Sequence, residues 1–434
     1  MLFLTFLLFL PLSFLIILRR WSTNNENVDV VSKLSRRRLP PGPWKLPIIG
    51  NLHQLALHPL PHVRLRDLAL KHGPLMHLQL GEASTVVVSS PEVAREVMRT
   101  HDVNFSNRPL LASARVFTYD FSSLSFSPHG EYWRRLRKIF ALELLSSSRV
   151  HSFRSIREEE AAQAVAGLAR AAAAARSAPV NLSRLVYEWT SSVTARAAFG
   201  GKTAKDLIDV LLKLQEDGQL DFPLGDDSLK AVIMDIFVGG TETSSTTVEW
   251  AMSELLRDEK TLKKAQSEVR RVFGSTGIVE EARLGELKYL KLVLKEVLLP
   301  RQNSERCEID GYDVPANTRV LINVWAMGRD PKYWVQPDEF IPERFLDSSL
   351  DYKGTNYEFI PFGAGRRMCP GMAFGMANVE LQLANLLYHF DWELPENEGS
   401  FEDLDMSETF GVTVKRKHDL CLIPVSYLPC LAPT

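Results

Sequence analysis

Cysteine is scarce in this chain. The 434 residues hold four, Cys307, Cys369, Cys421 and Cys430. Their low density excludes a disulfide scaffold, and no two of them form the CxxC pair of a zinc or redox site. Charge of one sign is equally short. A formal net charge of -2 lacks the basic excess of a nucleic-acid binder, so no nucleic-acid partner is expected. Strand-like runs are short and few. No dinucleotide-binding fold is visible: "GAGRRM", 363–368, begins like GxGxxG, but Met368 takes the place of the third glycine and no βαβ pattern surrounds it.

What is present describes a large helical body with extra segments ahead of it. At 45% hydrophobic and 24% charged residues, the chain can bury a large core. Met1 to Leu18 is an apolar run closed by Arg19 and Arg20, with no basic stretch before it and no small-residue cleavage site after it. That pattern predicts an uncleaved membrane anchor over 1–20, with the body facing the cytosol, although Pro11 interrupts the run. Residues 21–50 form a polar linker and then a stiff hinge, "LPPGPWKLPIIGN". From 51 to 434 the expected fold is mainly α with a minor β-sheet. "LMHLQLGEASTVVVSS" predicts two strands about Gly81, and Ser90 followed by Pro91 predicts a capped helix start. The Ala-rich stretch 153–178 and the longer apolar stretch 227–258 predict long helices, the second of them buried.

Two places demand an explanation. Gly239 and Gly240 lie in the middle of the buried helix, ahead of Thr241, Glu242, Thr243 and Ser244, and each interior glycine costs about 1 kcal/mol relative to alanine. Close helix packing with back-bonded hydroxyls would justify them. So would a locally opened helix beside a ligand, with Glu242 and Thr243 placed to pass protons. The second place is "PFGAGRRMCPG", 361–371. A thiolate there could ligate iron, Gly365 and Gly371 permit a tight turn around it, and Arg367 could reach an acidic group on a cofactor. A buried structural cysteine is the plainer alternative.

The stretch resembles the haem-thiolate signature of the cytochromes P450, FxxGxRxCxG, with Phe362, Gly365, Arg367, Cys369 and Gly371 all in place. "GGTETS" resembles the oxygen-activating helix segment of that family, "FIPERF" its PERF motif, "WRRLR" its WxxxR helix, and "LPPGP" its proline hinge. The flavour is that of plant A-type microsomal enzymes that oxidise terpenoids and alkaloids. The resemblance implies an incomplete P450 fold with haem b, in which Cys369 is the axial iron ligand and Trp133, Arg137 and Arg367 hold the haem propionates. Glu242 and Thr243 would relay protons, and Gly240 would make room for oxygen. Electrons would come from NADPH through a separate NADPH-cytochrome P450 reductase, with O2 and a small hydrophobic substrate as the other partners. The membrane would be a partner too, and the location the endoplasmic reticulum.

Two departures from the family pattern stand out. The family's ExxR motif pairs its Glu and Arg with the PERF arginine, here Arg344. "LKEVLLPRQ" supplies Glu296 but no arginine three residues on, and the proline-rich strand that should follow is missing. The body is thus shortened near 298–299. It is shortened again near 202–203, where the family carries two helices that roof the substrate cavity. Two functions follow: a monooxygenase of plant specialised metabolites, or a non-catalytic product of an altered transcript or decaying gene with impaired haem binding.

Overall fold

The computed structural model describes residues 38–174, 179–200, 206–216, 224–287, 299–346, 348–396, 398–411 and 413–427. Its small sheet starts where the alternation is clearest. Strands β1 (Leu75–Leu80) and β2 (Ala83–Val88) pair antiparallel about Gly81, whose φ of +60° suits a tight turn. Two later strands complete the sheet in the order β1-β2-β4-β3: β3 (Leu299–Gln302) and β4 (Arg319–Ile322), with β4 parallel to β2 and antiparallel to β3. A strand therefore does follow the shortened site at 298–299, contrary to expectation. Its register sets Arg301 opposite Val320, because the apolar alternation of β4 offers a template that any short extended segment can join.

Apart from three smaller sheets of two or three strands, the rest of the described residues are mostly helical. After α1 (Pro61–His72), the hydroxyl of Ser90 accepts from the Val93 amide and Pro91 opens α2 (Pro91–Arg95), as the sequence predicts. Then come α3 (Glu131–Ile139), the Ala-rich α4 (Arg154–Ala174), α5 (Leu182–Phe199) and α6 (Leu207–Glu216). The long α7 (Asp226–Arg257), α8 (Glu259–Phe273) and α9 (Met372–His389) complete the set. Helix α7 packs against both α5 and α9, and apolar residues of all three, such as Val193, Val248 and Leu386, share one core.

The expected membrane anchor, and with it the membrane partner and the endoplasmic reticulum location, is corrected here. Among the described residues no helix is long and apolar enough to cross a membrane. The run over 1–20 lies outside the described residues. As sequence it is marginal, since the apolar run from Met1 to Leu18, interrupted by Thr5, Pro11 and Ser13, sits at the short end of the roughly 17–25 that a span needs.

Candidate active site

The loop that carries Cys369 is fixed by a glycine that no other residue could replace without strain. Gly365 has φ +69°, and a Cβ added there would stand 2.4 Å from the Met98 carbonyl oxygen and 2.6 Å from Asp102 Oδ1. The turn closes through Met368 N donating to Gly365 O and Cys369 N donating to Phe362 O, both at 3.0 Å. Gly371 follows with an ordinary φ of -91°, and α9 starts at Met372. Cys369 is in no disulfide and is exposed; the alternative of a buried structural cysteine does not describe it.

It is exposed toward a cavity of about 1130 Å³ of empty space, part of it open to solvent. The loop contributes Phe362 and Cys369, α9 contributes Phe374, and the opposite wall is Gly239, Gly240 and Thr243 of α7. Helix α7 runs unbroken through its glycines. A Cβ on Gly240 would meet Thr194 Cγ2 of α5 at 3.2 Å, so this glycine serves close helix packing. Thr243 Oγ1 donates back to Gly239 O at 2.6 Å, as expected of a hydroxyl inside a helix. Glu242 is on another face. Its Oε1 accepts from Thr413 Oγ1 and pairs with Lys415 Nζ, each at 3.0 Å, and it is not part of the cavity wall. Leu207, the buried first residue of α6, is part of that wall.

Beside the loop, arginines gather with too few anions. Arg367, 8% exposed, donates to the carbonyls of Ser106, Leu124 and Ser127, and its guanidinium lies 4.4 Å from the Trp133 ring centroid. Trp133 Nε1 donates to the same Leu124 carbonyl. Burial, followed by repulsion from Arg108 and Arg137, pushes the Arg367 pKa down to about 9. Arg301, 2% exposed, donates to Ala364 O at 3.0 Å, while its Nε and Nη1 have no acceptor among the described residues. Burial, and then Arg108, hold its pKa well below the ordinary value. Arg108 donates to Pro300 O, and burial lowers its pKa to about 10. Arg137 is depressed by burial and raised by its proximity to Cys369. The Asp102 carboxylate partly offsets the positive charge around Arg301 and also accepts from the Arg366 amide. Across the cavity, Asp235 accepts from Ser125 N, and burial raises its pKa to about 6.

Sequence reasoning missed Arg108 and Asp235, and gave Arg301 no role. The available signal was an arginine inside an apolar extended run, "LLPRQ", where an unpaired charge is costly. Among the described residues the hydrogen bonds of Arg344 go to the backbone carbonyls of Gln336, Glu339 and Ile341. Glu296, its expected partner, lies outside the described residues.

The Cytochrome P450 family model matches residues 40–205 and 201–422. Cytochrome P450 71D10 of Glycine max is 45% identical, covering 90% of this chain and 92% of that protein. Desmethyl-deoxy-podophyllotoxin synthase of Sinopodophyllum hexandrum is 47% identical, covering 89% and 92%. Premnaspirodiene oxygenase of Hyoscyamus muticus is 43% identical over 506 aligned positions, more than the 434 residues of this chain, covering 97% and 98%. A zebra fish cytochrome P450 solved with abiraterone shares the fold, with a TM-score of 0.74 at 23% identity over 85% of this chain and 99% of that one. With a cysteine-bearing loop, a facing helix and several buried arginines, and with relatives matched along nearly its whole length, the chain belongs to the cytochrome P450 family, close to its plant A-type microsomal members.

Proposed function

We propose that this chain is a haem-thiolate monooxygenase acting on a small hydrophobic plant specialised metabolite of the terpenoid or alkaloid kind. The observation that carries the proposal is the pairing of an exposed cysteine on one cavity wall with an arginine cluster packed against the same loop, where Arg301 donates to Ala364 O and Arg367 to Leu124 O. Haem fits these residues. Two donors of Arg301 lack an acceptor among the described residues, and Arg108 and Arg367 bring two more positive charges, so a cofactor carrying two carboxylates would supply acceptors and negative charge at this point.

When bound, haem supplies reductive activation of O2 with electrons from NADPH delivered by a separate reductase, placing one oxygen atom in the substrate and the other in water. The chain's own residues do the rest. Cys369 Sγ is the proposed iron ligand, with Arg137 near it. Trp133, Arg137 and Arg367, joined by Arg108 and Arg301, are the proposed propionate partners. Thr243 holds a proton at Oγ1 on the cavity wall. Glu242 is the proposed acid behind it, and its ion pair with Lys415 must loosen before it can pass a proton inward. Gly239 and Gly240 keep side chains out of the space over the cavity floor.

A second function, a non-catalytic chain with impaired haem binding, is favoured by one observation: Arg344 is held only by carbonyls among the described residues, and the relatives' alignments exceed the chain's length. The test is reconstitution with haem, a plant NADPH-cytochrome P450 reductase and a terpenoid and alkaloid panel. Substrate-dependent NADPH consumption matched by oxygenated product supports the monooxygenase. Haem-loaded protein whose consumption appears wholly as peroxide, whatever the substrate, argues for the second.

A further inference from the structure

Another face of α7 borders a cleft whose walls are almost wholly polar. It lies between α5, α7 and the segment 415–419, has about 210 Å³ of room, and among the described residues shares no wall residue with the Cys369 cavity. One water needs only about 10–15 Å³, so the cleft has space for a small molecule.

Two of its wall residues, Glu249 and Arg416, are charged and only 8% and 7% exposed, and among the described residues neither forms an ion pair. Glu249 Oε1 accepts from Ser183 Oγ, while Oε2 has no partner among the described residues. Arg416 donates through Nη1 to Ser253 Oγ at 3.0 Å and through Nε to His418 O at 3.2 Å, while Nη2 has no acceptor among them. Neither Oε2 nor Nη2 is sealed from solvent, unlike the unpaired nitrogens of Arg301, and the cleft is the open space that both residues border. Elsewhere the chain closes such a pair: buried Arg157 holds Glu281 at 2.6 Å. Burial raises the Glu249 pKa against the opposing effects of Ser183 and Arg416, and it lowers the Arg416 pKa against that of Glu249. The protein thus leaves both charges undercompensated.

The other charges on the wall narrow the occupant. Arg184 and Lys415 are already held by Glu188 and Glu242, at 2.7 and 3.0 Å, which leaves Arg416 as the cation that lacks a counter-ion. A lone anion would meet repulsion from Glu249 and Asp419, and a lone cation repulsion from the three basic residues. A molecule with both charges avoids each penalty. We propose that this cleft binds a small zwitterion of the amino-acid kind, its carboxylate on Arg416 Nη2 and its ammonium on Glu249 Oε2, separately from the substrate cavity.

The test uses the full chain without haem, labelled with 13C at the glutamate carboxyl carbons, and three zwitterions of increasing charge separation: glycine, β-alanine and 4-aminobutyrate. Glu249→Gln assigns the Glu249 signal by its loss. At least one zwitterion is expected to shift that signal to saturation. An equimolar mixture of acetate and methylammonium carries the same groups unlinked and should need at least about tenfold higher concentration, because linkage makes the second contact intramolecular. Amide exchange in the unsubstituted chain gives a measure that needs no variant: the zwitterion that binds should slow exchange over 245–249 and 415–419, and the mixture at the same concentration should not. A Glu249 signal that none of the three zwitterions moves overturns the proposal. So does an equal response to the mixture, which would make the cleft a place for water and mobile ions only, or an exchange pattern that every zwitterion leaves unchanged.

Discussion

Replacing Arg301 with methionine should move two properties in opposite directions. In the chain without haem, Arg301 buries two guanidinium nitrogens that have no acceptor among the described residues, and it is repelled by Arg108 and Arg367. Each unsatisfied buried donor costs about 1–3 kcal/mol, and the single bond to Ala364 O returns about 1 kcal/mol. Methionine keeps the volume and removes the charge, an exchange that often stabilises by about 1–4 kcal/mol. The haem-free Arg301→Met chain should therefore unfold at higher urea concentration than the unsubstituted one. Haem binding should suffer, since one or two charge-assisted bonds to a propionate are worth about 2–4 kcal/mol, or roughly 30- to 1000-fold in affinity. Urea denaturation followed by tryptophan fluorescence measures the first effect, and haemin titration followed by Soret absorbance the second. A variant that unfolds earlier than the unsubstituted chain and binds haemin equally well would show that Arg301 is a structural residue with no cofactor role.

Asp235 should make stability fall with rising pH. Its pKa is raised from 3.8 to about 6 by burial, so the folded state holds the proton more tightly than the unfolded one, and the resulting stabilisation, at most about 3 kcal/mol, is present below the unfolded pKa and lost as pH rises through about 6. Asp235→Asn should match the unsubstituted chain near pH 4 and exceed it near pH 8 in urea midpoint; equal midpoints at both would remove Asp235 from the pH dependence. Gly365→Ala places a methyl group against Met98 O at positive φ and should cost at least about 2 kcal/mol, with haemin uptake lost in parallel. An unchanged melting curve would mean that the loop relaxes freely. Inserting a relative's ExxR arginine segment between Leu298 and Leu299 should raise haem content per chain, and filling the gap near 202–203 as well should restore coupled turnover; full haem content before any insertion would show that neither gap matters.

What could be read from the sequence was local. The hairpin about Gly81, the Ser90–Pro91 helix start and the turn around Cys369 each depend on a few neighbouring residues. The arginine cluster depends on three distant segments, 108, 301 and 367, meeting at one point, and no spacing in the chain announces that. Gly240 shows the same limit in reverse. Its motif left close packing and an opened helix both open, and the contact that decides for packing belongs to Thr194 on another helix. The strand at 299–302 was missed because its partner, Arg319–Ile322, supplies the alternation that the short segment itself lacks.

The most direct test of the proposed site is the ferrous carbon monoxide difference spectrum of the haem-reconstituted chain, recorded beside that of Cys369→Ala. Cys369 as the axial ligand requires the red-shifted Soret band of a thiolate-bound ferrous carbonyl in the unsubstituted chain, and its absence in the variant, since alanine offers the iron no ligand. The same unshifted band in both proteins, or the same red-shifted one, would contradict that assignment.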